Sequence, residues 1–90
     1  MGIEIDIPSY LRSFASEREA IEVNGGTIGE CLDELVKKFP DIKKMLFPED
    51  DILHSYVTIF LNGTDAYPDE LAKPVKDGDH LQILYIIGGG

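Results

Sequence analysis

The chain has 90 residues, 43% of them hydrophobic, and this length and composition predict one folded domain rather than a disordered segment. The net charge of −9 argues against a nucleic acid as partner, because phosphate groups would be repelled. A single cysteine excludes an internal disulfide bond, and neither a secretory signal nor an apolar run of membrane-spanning length is visible, so we expect a cytoplasmic protein that binds no membrane.

The N-terminal quarter of the chain predicts two strands joined by a loop. Isoleucines at positions 3, 5 and 7 alternate with acidic residues, which is the pattern of a half-buried strand that ends near Pro8. Residues 10–19 are mixed and polar, and we expect a loop there. A second, weaker alternation predicts a strand over Ala20–Val23, which Asn24-Gly25-Gly26 ends.

The most regular segment is a helix that begins after Thr27. Thr27 precedes Glu30 by three residues, which is the capping-box pattern that satisfies backbone N–H groups at a helix start. Apolar residues then recur at helical spacing, and Pro40 ends the pattern. That apolar stripe comprises Ile28, Cys31, Leu32, Leu35, Val36 and Phe39. A place in the stripe predicts that Cys31 is a core residue without redox function.

The second half of the chain predicts a short helix and two strands. Residues 41–47 fit the short helix, and an acidic loop follows. Alternation predicts strands over residues 56–61 and His80–Tyr85, separated by an irregular connection. The Asn62-Gly63 and Asp77-Gly78-Asp79 segments are typical of turns.

This order of elements predicts an α+β fold of the β-grasp (ubiquitin-like) type. The apolar face of one main helix needs a single sheet to cover it, and we expect a mixed sheet of four to five strands. In this architecture the first and last strands are parallel and central. We expect the domain to span residues 1–85 and to be followed by a flexible, glycine-rich tail over residues 86–90.

The tail itself, Ile86-Ile87-Gly88-Gly89-Gly90, suggests a function. Three glycines have no side chains and can enter a narrow tunnel in a partner, which would make the carboxyl group of Gly90 the working group. A disordered end or a cloning remnant is the alternative. Ile86 and Ile87 are predicted to dock on a partner, with ordinary edge packing as the alternative for both.

Two apolar residues of the strands break the alternation of their neighbours. Phe60 and Leu84 are out of phase with the inward-facing apolar positions of residues 57–61 and 81–85. We therefore predict that Phe60 and Leu84 form part of an exposed apolar patch that binds a partner.

No catalytic or metal-ligating arrangement is predicted. His54 and His80 lie far apart in sequence without ligand spacing, which favours surface histidines. Asp77-Gly78-Asp79 lacks the rest of a calcium-loop pattern. We therefore expect a protein that is not itself an enzyme and binds no metal and no cofactor of its own.

Short segments spread over nearly the whole chain resemble the MoaD/ThiS family of ubiquitin-like sulfur carriers. The resemblance is carried by Ile7-Pro8 with Leu11-Arg12, Gly26-Thr27-Ile28-Gly29, Leu32, Leu35, Val57-Thr58-Ile59, Asn62-Gly63 with Asp65, Asp77-Gly78-Asp79 and Gly89-Gly90. Each segment is weak alone, but their order is specific. The long stretch over residues 39–54 is more similar to the molybdopterin-synthase small subunit and the cysteine-pathway carrier than to the thiamine carrier. The Ile-Pro and Leu-Arg opening is most similar to the cysteine-pathway type.

The resemblance implies a carrier that acts through partner enzymes. An E1-like adenylating enzyme would use ATP to activate the carboxylate of Gly90, and a sulfur donor would then leave a thiocarboxylate there. The implied acceptor is the molybdopterin-synthase large subunit or a cysteine-synthase-like enzyme. Two alternatives stay open: a ubiquitin-like modifier joined to lysines through Gly90, and an interaction module with an inert tail.

The glycine at position 88 departs from the family pattern, in which a small side chain is often found there. If Gly88-Gly89 were the family diglycine, Gly90 would have to be removed before activation. Ungapped alignment of the last strand favours Gly89-Gly90 instead.

Overall fold

A computed structural model describes residues 2–49 and 52–85 and contains a mixed five-stranded sheet. The strands are β1 (Ile3–Asp6), β2 (Ala20–Val23), β3 (Val57–Leu61), β4 (Thr64–Asp65) and β5 (His80–Tyr85). The α-helices are α1 (Ile28–Lys38) and α2 (Lys43–Leu46), and short 3₁₀ helices span Ser9–Ala15, Pro40–Ile42 and Glu70–Ala72. Within the described ranges, no helix has both the length and the apolar character needed to cross a membrane.

The sheet has the strand order β2-β1-β5-β3-β4, with the first and last strands of the chain at its centre. β1 runs parallel to β5, and Ile5 lies opposite Leu81. β5 pairs antiparallel with β3 along its other edge, from Leu61 opposite Leu81 to Val57 opposite Tyr85. The predicted β-grasp fold, with parallel first and last strands, is confirmed.

Helix α1 begins at the cap that the sequence predicts. The backbone N–H of Glu30 donates a hydrogen bond to Thr27 Oγ1 at 3.1 Å, and Glu30 Oε1 accepts one from the backbone N–H of Gly26 at 2.7 Å. Two backbone hydrogen bonds, from Ile28 N–H to the Lys73 carbonyl and from Val75 N–H to the Gly26 carbonyl, tie this end of the helix to the segment before β5. The cap therefore fixes both the helix and the connection that leads to the last strand.

The core lies between α1 and one face of the sheet. Its fully buried large side chains are Ile3, Ile5, Ile7, Leu11, Ile28, Leu32, Leu35, Ile42, Leu46, Ile59, Leu81 and Ile83. Cys31 is buried among them, as predicted. Burial, followed by the nearby charges of Glu30 and Glu34, raises the pKa of the Cys31 thiol to about 11, so the thiol stays protonated and unreactive at neutral pH.

The prediction of a loop over residues 10–19 is wrong in its first half. A 3₁₀ helix spans Ser9–Ala15 and buries Leu11 and Ala15. Arg12 closes the segment onto the end of β1, because its Nε donates a hydrogen bond to the Ile7 carbonyl at 3.0 Å. Two buried residues four positions apart are too few to produce a recognisable apolar stripe in a polar stretch.

The connection between β3 and β5 also contains more structure than its sequence indicates. The two residues of β4 pair with the end of β3, and a 3₁₀ helix at Glu70–Ala72 follows. A two-residue strand cannot show alternation, so this part of the sheet has no signal in the sequence.

Candidate functional site

The five tail residues of the predicted site, Ile86, Ile87, Gly88, Gly89 and Gly90, lie outside the described residues. The division at residue 85 and the assignment of Gly90 therefore stay predictions. The structure does describe the end of β5, which is the last described part of the chain, and the outer face of the sheet. We define the outer face as the sheet surface that points away from α1.

Phe60 and Leu84 both lie on this outer face. Leu84 is opposite Thr58 and Phe60 is opposite Gln82 in the β3–β5 ladder, so all four side chains point to the same side. Leu84 is 38% exposed and Phe60 is half-buried, whereas their chain neighbours Ile59 and Ile83, which point to the other face, are buried. The alternation thus places both residues on one face, with Phe60 less exposed than predicted, and their role in partner binding stays a prediction.

Acidic side chains surround this apolar pair. The outer face of the described strands carries four carboxylates and neither a lysine nor an arginine; the acids are Glu4, Asp6, Glu22 and Asp65. Asp65 lies directly opposite Phe60. An open groove of about 340 Å³ is lined by Leu84, Pro8 and Arg12, among other residues. A partner that covers this surface therefore needs an apolar contact flanked by basic groups.

An aromatic cluster holds the end of β5. The ring of Tyr85 contacts Tyr10 edge-on, with centroids 4.6 Å apart, and Tyr56 at 5.3 Å. The Tyr85 hydroxyl donates a hydrogen bond to the Met45 carbonyl. Burial, with smaller effects of Tyr56 and Tyr10, raises the pKa of Tyr85 to about 12, so this phenol keeps its proton and its hydrogen bond at neutral pH. His54 extends the cluster by stacking on Tyr56.

The other end of β5 is fixed by the two predicted turns, which contact each other. The Asn62 side-chain amide donates a hydrogen bond to Asp79 Oδ1 at 3.0 Å, and Asn62 Oδ1 accepts one from the backbone N–H of His80 at 2.9 Å. The Asn62 hydrogen bond, and then one from the backbone N–H of Lys76, lowers the pKa of the Asp79 carboxyl. Gly63 and Gly78 supply the positive φ angles of 85° and 92° that the turns require. β5 is therefore held in place at both ends.

His80 has neighbours that the sequence interpretation missed. Its Nε2 lies 2.9 Å from Asp6 Oδ1 and 3.9 Å from Glu4 Oε1. Glu4 is the direct partner of His80 in the parallel β1–β5 ladder, and Asp6 follows two residues later on the same face. Spacing along the chain cannot reveal this group, because the strands that carry it come from opposite ends of the sequence.

Comparison with known proteins identifies the family. The model of the ThiS family matches residues 5–90, almost the whole chain. The chain belongs to the ThiS family. The predicted family resemblance is thereby confirmed, and the ThiS-family match spans both the described domain and the glycine-rich segment after Tyr85.

Individual relatives agree with this ThiS-family assignment. The sulfur carrier protein CysO of Mycobacterium tuberculosis is 28% identical over 93 residues, which cover all of both chains. The small archaeal modifier protein 1 of Haloferax volcanii is 30% identical over 71 residues, or 78% of each chain. A chain in the crystal structure of the Amycolatopsis orientalis BexX/CysO complex superposes with a TM-score of 0.88 at 30% identity and covers 99% of this chain and 100% of its own.

Proposed function

We propose that this ThiS-family protein is a cytoplasmic sulfur carrier whose Gly90 carboxylate is adenylated and converted to a thiocarboxylate. The observation that carries this proposal is the full-length similarity to proteins named sulfur carrier protein CysO. An E1-like adenylating enzyme would activate the Gly90 carboxylate with ATP, and a sulfur-accepting synthase would receive the sulfur. The carrier is not an enzyme by itself in this scheme, since both reactions take place in partner active sites.

The proposed chemistry starts from a poor electrophile. The negative charge of a carboxylate repels nucleophiles, so the Gly90 carboxylate first attacks the α-phosphate of ATP and releases pyrophosphate. The resulting acyl-adenylate has AMP as a good leaving group. Hydrosulfide or an equivalent sulfur donor attacks the carbonyl carbon, AMP leaves, and a thiocarboxylate remains on Gly90. One oxygen is exchanged for sulfur, and no oxidant or reductant is consumed.

The described residues support a positioning role for the domain. β5 is hydrogen-bonded along both edges, and Tyr85 at its end is held by two aromatic contacts and by the Met45 carbonyl. Tyr85 is therefore a fixed point at the end of the described domain. Holding a reactive group at a defined distance from a docked domain lowers the entropic cost of reaching a partner's active site.

Among acceptors, we favour a cysteine-synthase-like enzyme. The CysO relatives match over their whole length, and the Ile7-Pro8 and Leu11-Arg12 segments were already most similar to that type. The molybdopterin-synthase large subunit is the second acceptor. Incubating the thiocarboxylate form with each enzyme and following the loss of sulfur by mass discriminates between them.

A second function, as a ubiquitin-like modifier, is favoured by one observation. The relative named small archaeal modifier protein 1 is 30% identical over 78% of this chain. Activation of Gly90 would be the same, but a lysine amine would displace AMP and form an amide bond. Expression of a tagged chain in the native host tests this, since conjugates form a ladder on a denaturing gel and a chain without Gly90 forms none.

The first test of the carrier proposal is an intact-mass measurement after incubation with ATP, a family activating enzyme and sulfide. We expect the mass to rise by the difference between one sulfur and one oxygen. A carrier of known competence, converted in parallel, is the control for the enzyme. If activating enzymes from the native host also leave the mass unchanged, the chain is an interaction module with an inert tail.

The second test concerns the apolar pair on the outer face. We expect Phe60→Asp or Leu84→Asp to weaken binding to the activating enzyme at least tenfold, because a carboxylate in an apolar contact loses its hydration without gaining a partner. Calorimetric titration measures the dissociation constant. The matched control is Ile52→Asp, since Ile52 is exposed but lies in the loop before β3 rather than on the outer face.

The domain itself must stay folded for this test to be informative. Leu84 is exposed and Phe60 is only half-buried, so we expect the circular dichroism spectrum to be unchanged. Unchanged affinity in both variants would exclude the outer face as the docking surface. Loss of folding would instead mean that the two side chains belong to the core.

A further inference from the structure

Three possible metal ligands meet on the outer face, at the start of the β1–β5 ladder. His80 Nε2, a Glu4 carboxylate oxygen and an Asp6 carboxylate oxygen all lie within 4.8 Å of one another. Ligands of a tetrahedral zinc ion, with bonds of about 2.0–2.1 Å, lie roughly 3.4 Å apart. The distances of 2.9 Å and 3.9 Å from Nε2 to the two carboxylates bracket that value.

The Nε2 atom of His80 is in ion-pair contact with Asp6 but makes no directed hydrogen bond. It is shielded from solvent and has no hydrogen bond. Asp6 Oδ1 is close enough at 2.9 Å, but its direction from the imidazole ring does not suit an N–H donor. A metal cation shared by all three groups would give this nitrogen a directed bond and would neutralise the two carboxylates.

The charge around His80 is also unbalanced. Glu22 lies directly opposite Glu4 in the β1–β2 ladder, on the same face. Like charges directly opposite each other in a sheet are destabilising, and the outer face of the described strands offers no lysine or arginine to compensate. Glu22 thus adds a third carboxylate that favours a cation at this position.

We propose that Glu4, Asp6 and His80 form a binding site for a divalent transition-metal ion, with Zn²⁺ as the ion that fits best. An imidazole nitrogen with two carboxylate oxygens is a ligand set that zinc accepts, with water in the open fourth position. Mg²⁺ and Ca²⁺ prefer sites made of oxygen alone, and we expect them to bind much more weakly. The three side chains are 40–61% exposed, so rotation of the His80 ring or of a carboxylate can open the shielded Nε2 atom to an ion from solvent.

The site is built on rigid backbone. Glu4 and Asp6 are two residues apart on β1, and the parallel ladder fixes His80 beside them. The ion would bridge β1 and β5, the two central strands, and would lie on the surface that also carries Phe60. This proposal does not depend on sulfur transfer, since it concerns only described residues of the domain.

Calorimetric titration of the full chain with ZnCl₂, in a buffer that does not bind metal, tests the proposal. We expect saturable binding of one ion per chain, at least tenfold weaker in His80→Gln and in Asp6→Asn. The matched control is His54→Gln, because His54 is the other histidine and contacts Tyr56 and the Lys44 carbonyl rather than a carboxylate. MgCl₂ at the same concentration should give no saturable heat.

Nuclear magnetic resonance of the imidazole nitrogens supplies a direct readout in the unmodified protein. We expect Zn²⁺ to shift the Nε2 resonance of His80 and to leave the His54 ring unchanged. The proposal is overturned if the intact chain shows no saturable Zn²⁺ binding, if His80→Gln binds as tightly as the parent, or if Mg²⁺ binds equally well. The last outcome would mean diffuse attraction to acidic residues rather than a site.

Discussion

A chain that lacks Gly90 is expected to show no exchange of oxygen for sulfur, while its free energy of unfolding stays the same. Under the proposed function, the carboxylate of Gly90 is the group that reacts, and deletion moves the terminal carboxylate back by one residue. One residue of extended chain corresponds to roughly 3.3–3.6 Å. A shift of this size takes the carboxylate out of attacking distance, since near-attack geometry requires the reacting atoms to be within about 3–3.5 Å.

The same deletion also decides the position of the diglycine. If Gly88-Gly89 is the reactive pair, removal of Gly90 should preserve or increase conversion, because the extra residue no longer needs to be removed. Intact mass after activation measures the outcome. A chain extended by one glycine is the matched control for tail length: it should also fail if Gly90 is reactive, and urea titration of both variants verifies that the domain is unchanged.

The second large effect is expected in the core. Leu81→Ala should lower the free energy of unfolding by about 2–5 kcal/mol, because it deletes a fully buried side chain at the centre of the sheet. Leu81 lies between Ile5 on β1 and Leu61 on β3. Because both neighbouring strands are fixed by their hydrogen bonds to β5, they cannot move in to fill the cavity. For a small domain that is stable by about 5–15 kcal/mol, this loss is a substantial part of the total.

The control is the same substitution three residues later on the same strand. Leu84→Ala removes an identical side chain from the outer face, where Leu84 is already partly hydrated, and we expect a loss below about 1 kcal/mol. Urea denaturation followed by circular dichroism gives both values. Equal losses would mean that the two faces of β5 are equally packed, in contradiction to the described burial.

The sequence predicts the elements with strong local signals and misses those without. Helix α1 is correctly placed because the Thr27 cap, the apolar stripe and Pro40 agree with one another. Both ends of β5 are predicted correctly for a similar reason, since the alternation begins directly after the predicted turn. The 3₁₀ helix over Ser9–Ala15 is missed because only two of its residues, Leu11 and Ala15, are buried in an otherwise polar segment.

The candidate sites differ in the same way. Phe60 and Leu84 can be placed on the outer face from sequence because each breaks the phase of its own strand. The contact of His80 with Glu4 and Asp6 cannot be predicted from sequence, because it depends on the register between two parallel strands that no turn connects. Register is set by packing of the buried isoleucines and leucines over α1, which is a property of the whole fold.

The central position of β5 has a mechanical consequence. Tension applied to the chain beyond Tyr85, along the strand, would load the ladders to β1 and β3 in shear, so that many hydrogen bonds must break together. A strand at the edge of the sheet would be held on one side only. β5 can therefore resist a pull on its C-terminal end while the sheet stays intact.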